Sequence, residues 1–126
     1  MPPLPSTVRP LVVKITCGAE ELERLNQGLT VAATALAAGA EVSLWLTGEA
    51  TWMAVPGRAE ELALPHGASL ADLRDALLAG ASVTVCGQCA ARRDLGPEDL
   101  LEPALIRGAA AYVEEILRPE VQAIVY

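Results

Sequence analysis

Three cysteines carry the reactive potential of this 126-residue chain: Cys17, Cys86 and Cys89. Cys86 and Cys89 form a C-x-x-C pair in the run Val83-Thr84-Val85-Cys86-Gly87-Gln88-Cys89, directly after an apolar β-type stretch. A cysteine that ends a strand, followed by a glycine that lets the backbone turn, sits at the amino end of whatever helical turn comes next. Free backbone N–H groups there favour the thiolate, and nearby guanidinium groups would add to the effect. Arg92 and Arg93, the only basic cluster in the sequence, follow within a few residues. Such a thiolate is a competent nucleophile or sulfur acceptor. The alternative is a small buried residue closing a strand, a common use of cysteine.

Three chemistries compete for the pair. A thioredoxin-like dithiol normally follows an early strand of a βαβ unit, whereas this pair comes after two β–α units. A zinc site needs about four ligands; Cys17, Cys86, Cys89 and the lone His66 would supply a Cys3His set, but their spacing is scattered rather than paired. In persulfide chemistry, one cysteine carries sulfur and the other releases it as a disulfide forms. The residue types alone leave all three open.

The elements that must position these thiols are well punctuated. Residues 11–16, LVVKIT, read as a buried strand ended by Cys17-Gly18. A helical pattern follows from about Glu20 to Leu36, with Glu20, Glu21 and Glu23 crowding the first turn and Gly39 past the last one. Residues 41–46, EVSLWL, give a second strand, closed by Thr47-Gly48-Glu49. The segment 48–68 is the least regular, broken by Pro56-Gly57 and Pro65-His66-Gly67, with a short helical turn between. Ser69-Leu70-Ala71-Asp72 resembles a capping box, and the helix after it runs to Ala79 with Leu70, Leu73, Ala76 and Leu77 facing inward. Residues 82–86 are the third strand. Pro97 opens a short helix, Pro103 separates it from a longer one over about Ala104 to Leu117, and residues 121–126 form the last strand.

ALAAGAEVSL at 35–44 is echoed by ALLAGASVTV at 76–85, the same helix-to-strand unit twice. The β–α alternation predicts a three-layer α/β/α domain on a mostly parallel sheet of about five strands with right-handed crossovers. Reactive groups in such sheets gather beyond the carboxyl ends of the strands. That places Cys86 and Cys89 on one rim, with Cys17 and Gly18 from the first strand end. Gly48 and Glu49 from the second strand end, and Trp52 just after it, would line the pocket.

Composition narrows the function classes. A formal net charge of −7, with a single lysine at Lys14, opposes nucleic-acid binding, which draws on a basic surplus. No apolar run approaches the length of a membrane span. MPPLPSTVRP lacks the apolar core of a signal peptide and reads as a loose arm over 1–10 before a domain over 11–126, which points to the cytoplasm. Three cysteines do not make a disulfide framework, and with no Phe the core must come from Leu, Val, Ile and Ala.

The run from Val83 to Arg93 resembles the signature stretch of the DsrE/DsrF-like sulfur-relay family, which includes TusD-type and YchN-like members. There a strand ends in a cysteine, followed by small residues and then arginine. Residues 44–49, LWLTGE, are similar to that family's second strand end, residues 106–113, IRGAAAYV, to its late helix, and residues 123–126, AIVY, to its last strand. The resemblance implies a sulfur-carrier or sulfurtransferase subunit that accepts a persulfide sulfur on Cys86 and hands it to a partner protein. It implies Arg92, Arg93, Gly87 and Gln88 as the groups stabilising the anion, donor and acceptor proteins as partners, and a homo-oligomer, trimer or hexamer. It requires no organic cofactor and no metal. Cys89 departs from the TusD-type pattern, and Asp94 stands where a glycine often follows the arginines. The other readings are a non-catalytic binding subunit with structural cysteines, and a zinc or redox-sensing module.

Overall fold

The computed structural model describes residues 8–126. Five strands form one parallel sheet: β1 (Leu11–Ile15), β2 (Val42–Leu46), β3 (Ser82–Cys86), β4 (Leu105–Arg107) and β5 (Gln122–Val125), in the order β4-β3-β2-β1-β5. Four helices connect them: α1 (Leu22–Ala37), α2 (Leu70–Gly80), α3 (Gly87–Arg92) and α4 (Ala109–Ile116). The predicted fold class stands. Central strands of a parallel sheet are covered on both faces and therefore read as continuous apolar runs rather than alternating ones, which is why LVVKI and VSLWL were unmistakable.

The two faces are unequally covered. On the first, Val13, Ile15, Leu44, Leu46, Val83 and Val85 meet Leu25, Leu29 and Ala32 of α1 and Leu70 and Leu77 of α2 in one buried cluster. Each such side chain contributes about 1.5–3 kcal/mol when fully buried. The second face is smaller. Val12, Trp45 and Val121 are buried there under Ala111, Tyr112 and Ile116, and no residue of α4 itself is buried.

The two echoed glycines have different tasks. Gly39 ends α1 in left-handed backbone, φ +101°, with open space around it. Gly80 is the last residue of α2, where a Cβ would lie 2.9 Å from Leu36 Cδ2, so its bare backbone lets the two helix ends pack. Ser69 caps α2, its hydroxyl accepting from the Asp72 N–H at 3.2 Å.

Three expectations are corrected. The helix predicted over Ala104 to Leu117 is a strand followed by a shorter helix. Leu105, Ile106 and Arg107 pair with Thr84, Val85 and Cys86, and Gly108 is the cap between β4 and α4. Ile106 fits the helical stripe by spacing, but it packs in the first-face cluster from the sheet edge. Ala76 is exposed, and Arg74 is buried along with Leu70 and Leu77 instead, because it is paired with Glu60 (2.7 Å) and Asp75 (2.9 Å). The loop 48–68 holds two 3-10 segments, Gly48–Ala54 and Ala59–Glu61, where one short turn was expected.

Of the N-terminal arm, residues 1–7 lie outside the described residues. Its end is tied to the sheet edge: Arg9 donates to the carbonyls of Glu120 and Val121, and the Pro10 carbonyl accepts from the Gln122 N–H.

Candidate functional site

β3 ends at Cys86 and α3 starts at the next residue, which makes Cys86 the N-cap of α3, with φ −62° and ψ 128°. Its thiol is half-buried, while Cys89, one turn on, is buried. Burial alone would push the Cys86 thiol up. The N–H groups of Cys89 and Gln88, the Cys89 side chain and the charge of Lys14 outweigh it and hold the thiol below its ordinary value. No full hydrogen bond caps the helix through this side chain; the N–H groups act by favouring the anion.

Two neighbouring loops fix the second thiol. A Cβ on Gly18 would sit 2.5 Å from the Glu49 carbonyl oxygen. Gly48 has φ +53°, and a Cβ there would sit 2.6 Å from the Thr16 carbonyl oxygen. The turns after β1 and β2 thus meet backbone to backbone, which only glycine permits. In that position the Gly48 N–H donates to Cys89 Sγ at 3.1 Å. Gly18 and Gly48 therefore build the rim rather than line a pocket.

Lys14 is the residue that the sequence reading overlooked. Lys14, Trp45 and Thr84 stand side by side across β1, β2 and β3. Cys86 is two residues beyond Thr84, so all four share the second face. The Lys14 ammonium rests 4.8 Å from the centre of the Tyr112 ring, which itself makes an edge-to-face contact with Trp45 at 5.2 Å. The signal was present as a lone lysine inside an apolar strand, in phase with the residue opposite Thr84.

The remaining expected residues fall elsewhere. Arg93 donates to the Glu49 carboxylate at 2.7 Å and to the Cys89 carbonyl at 3.0 Å, and this pairing, together with a hydrogen bond from Trp52, holds the Glu49 carboxyl below its usual range. Arg92 is exposed and, among the described residues, reaches only Gln88 Oε1, at 3.5 Å. The groups that do most to favour the Cys86 thiolate are the Cys89 and Gln88 N–H groups, the Cys89 side chain and Lys14. Gly87 adopts no left-handed backbone, and a Cβ there would meet its nearest atoms at an ordinary 3.7 Å, so the sharp turn expected to need it does not.

Cys17 is 3% exposed within the first-face core, its Sγ 3.9 Å from the Glu21 carbonyl oxygen. Burial, then the charge of Glu20, pushes its thiol up, so it is poorly suited to join the pair. Glu49 and Trp52 border a cavity beside Arg92 and Arg93. His66 is exposed in its loop with φ +63°. Among the described residues no three His, Cys, Asp or Glu side chains gather as metal ligands. What the arrangement offers is an anion-favouring thiol at Cys86 with a second thiol beside it.

Comparison with known structures agrees with the fold. The YchN protein from E. coli superimposes with a TM-score of 0.78 at 16% identity, covering 94% of this chain and 100% of that one. A protein of unknown function, MTH1491 from Methanobacterium thermoautotrophicum, does so with a TM-score of 0.62 at 9% identity, covering 94% and 99%. No curated protein matches the sequence significantly. The model of the DsrE/DsrF-like family matches residues 11–118. With that match covering four of the five strands and all four helices, the chain belongs to the DsrE/DsrF-like family.

Proposed function

We propose that this protein is a sulfur carrier whose accepting group is the Cys86 thiolate. The observation that carries the reading is that Cys86, half-buried at the head of α3, is favoured as an anion by backbone N–H groups, the Cys89 side chain and Lys14 despite its burial. Membership of a sulfur-relay family supports it. The Cys86 thiolate attacks the outer sulfur of a donor persulfide, R–S–SH. The donor's S–S bond breaks, R–S⁻ leaves, and Cys86 becomes Cys86–S–SH. An acceptor thiolate then attacks that outer sulfur and regenerates the Cys86 thiolate. Sulfur is passed on with no net oxidation, so the cycle needs no redox cofactor.

Lys14 and the N–H groups of Gln88 and Cys89 stabilise the persulfide anion as they do the thiolate. Cys89 is a positioning residue whose side chain favours the anion on the reacting sulfur. Donor and acceptor are proteins of the cytoplasm, and the carrier works as a homo-oligomer. Large apolar side chains of α4 and β5 stand exposed: Leu117 at 74%, Val125 at 59% and Val113 at 45%. They offer the apolar area such an assembly buries.

Intact-mass spectrometry after incubation with a persulfide donor tests the reading. One added sulfur, removed by reductant and absent from Cys86→Ser but retained by Cys17→Ser, is expected. No adduct on any cysteine would leave a binding subunit as the better account.

A further inference from the structure

Arg58, Arg92 and Arg93 are three of the nine basic residues of a chain with net charge −7, and they border one cavity of about 510 Å³. That size lies within the range of small-molecule sites. The cavity is not lined by Cys86 or Cys89, so its chemistry is separate from that of the thiol pair.

The three guanidinium groups are engaged differently. Arg93 is neutralised by Glu49. Arg58 lies over the Trp52 ring, its guanidinium carbon 3.9 Å from the ring centre, and makes no hydrogen bond or ion pair among the described residues. Arg92 has only its long bond to Gln88 among the described residues. Glu61 is the other carboxylate on the wall and is exposed. Two under-used guanidinium groups thus share the wall with one carboxylate that has no ion pair among the described residues, a net positive site on an acidic protein. A guanidinium lying over an indole keeps N–H groups free for the two oxygens of an oxyanion. Met53 and Leu62 supply an apolar wall beside the indole.

The geometry points to a binding site for a small organic anion, its oxyanion group met by Arg58 and Arg92 and its apolar body lying against Trp52, Met53 and Leu62. Such a molecule bears a carboxylate, sulfonate or phosphate on a compact apolar frame. Salt weakens its binding, because both guanidinium groups are open to solvent on one side.

The test uses 8-anilinonaphthalene-1-sulfonate as probe and its uncharged analogue N-phenyl-1-naphthylamine as control, followed by fluorescence and by amide shifts in 15N-labelled protein. The sulfonate should shift amides of residues 49–62 and 92–93. The double variant Arg58→Ala/Arg92→Ala should bind it about tenfold or more weakly, as expected for lost charge-assisted hydrogen bonds. Arg24→Ala, an exposed arginine on α1, and Cys86→Ser should bind as wild type. Unchanged sulfonate affinity in the double variant overturns the proposal. So do shifts centred on α4 and β5, or equal loss of the uncharged analogue. An unchanged circular dichroism spectrum checks that the variant is folded. Because Cys86 is not involved, failure of the sulfur-carrier reading leaves this result untouched.

Discussion

The backbone N–H of Gly48 points at the sulfur of Cys89 from 3.1 Å. A sulfur that accepts on one side keeps its S–H for the other, and the side chain of Cys89 is among the groups that favour the thiolate on Cys86. The turn after β2 thereby sets the orientation of a thiol on α3, which in turn stabilises the charge at the end of β3. The two cysteines are unequal from the start. Cys86 is half-buried, and Cys89, one turn on, is buried.

The first prediction concerns that inequality. Alkylation of Cys86 by iodoacetamide, followed against pH in a Cys17→Ser background, should show a midpoint below that of an ordinary thiol. Lys14→Met and Cys89→Ala should each raise it and slow the reaction at neutral pH severalfold, whereas Cys89→Ser, which keeps a donor, should fall between. The sign for stability follows. A depressed thiol contributes stability that is present above the pKa of the unfolded chain and is lost as pH falls through the folded value. A midpoint that does not respond to either Lys14→Met or Cys89→Ala would remove both groups from the site.

Glycines at the rim give a paired test. Gly48→Ala forces a side chain into left-handed backbone, which costs about 1–2 kcal/mol by itself, and also into the Thr16 carbonyl. It should lower urea stability by at least that amount and displace the donor to Cys89. Gly87→Ala meets nothing closer than 3.7 Å and replaces the residue with the greatest freedom in the unfolded chain, so it should be neutral or stabilising by up to about 1 kcal/mol. Equal losses in the two variants would contradict the geometry of the loop.

That pair of glycines also shows how far the sequence could be read. The strands β1, β2 and β3 were legible because buried parallel strands leave unbroken apolar runs, and Cys86 was legible because it ends one of them. Gly87 was expected to make the sharp turn and Gly48 only to line a pocket, since which glycine is pressed against a carbonyl depends on two loops distant in sequence. The placement of Lys14 and Arg93 was hidden for a similar reason. Proximity along the chain favoured the arginines, but Arg93 turns away to Glu49, while a lysine two strands off shares the sheet face of Cys86. β4 was hidden because three residues at a sheet edge have no periodicity of their own, and their helix-compatible spacing prevailed.

Acid should weaken the ion pair of Arg74. This buried guanidinium is paired with Glu60, whose carboxyl is pulled down to about 2, chiefly by that hydrogen bond. A depressed carboxylate contributes stability above its ordinary range, lost as pH falls from there toward about 2. Glu60→Gln should therefore melt below wild type at pH 7, with the two curves converging near pH 2. Because Glu60 is exposed, solvent screens the pair and the difference should be modest. Parallel curves across the whole range would show that the pair adds no pH-dependent stability.

Assembly supplies the last test. α4 leaves Val113 and Leu117 facing outward, and Val125 is exposed on β5. An exposed side chain contributes little to the fold of its own subunit, so Leu117→Arg should leave the melting temperature of the isolated subunit nearly unchanged. A cation at the carboxyl end of a helix is also compatible with the helix dipole. If these side chains are buried between copies, the same change places a charge in an apolar contact and should dissociate the assembly. Light scattering across a concentration series reads this directly. A wild-type mass above one subunit that falls in Leu117→Arg is expected, and Val125→Lys should behave alike. A wild-type protein that stays monomeric at all concentrations would end the homo-oligomer reading while leaving the chemistry at Cys86 unaffected.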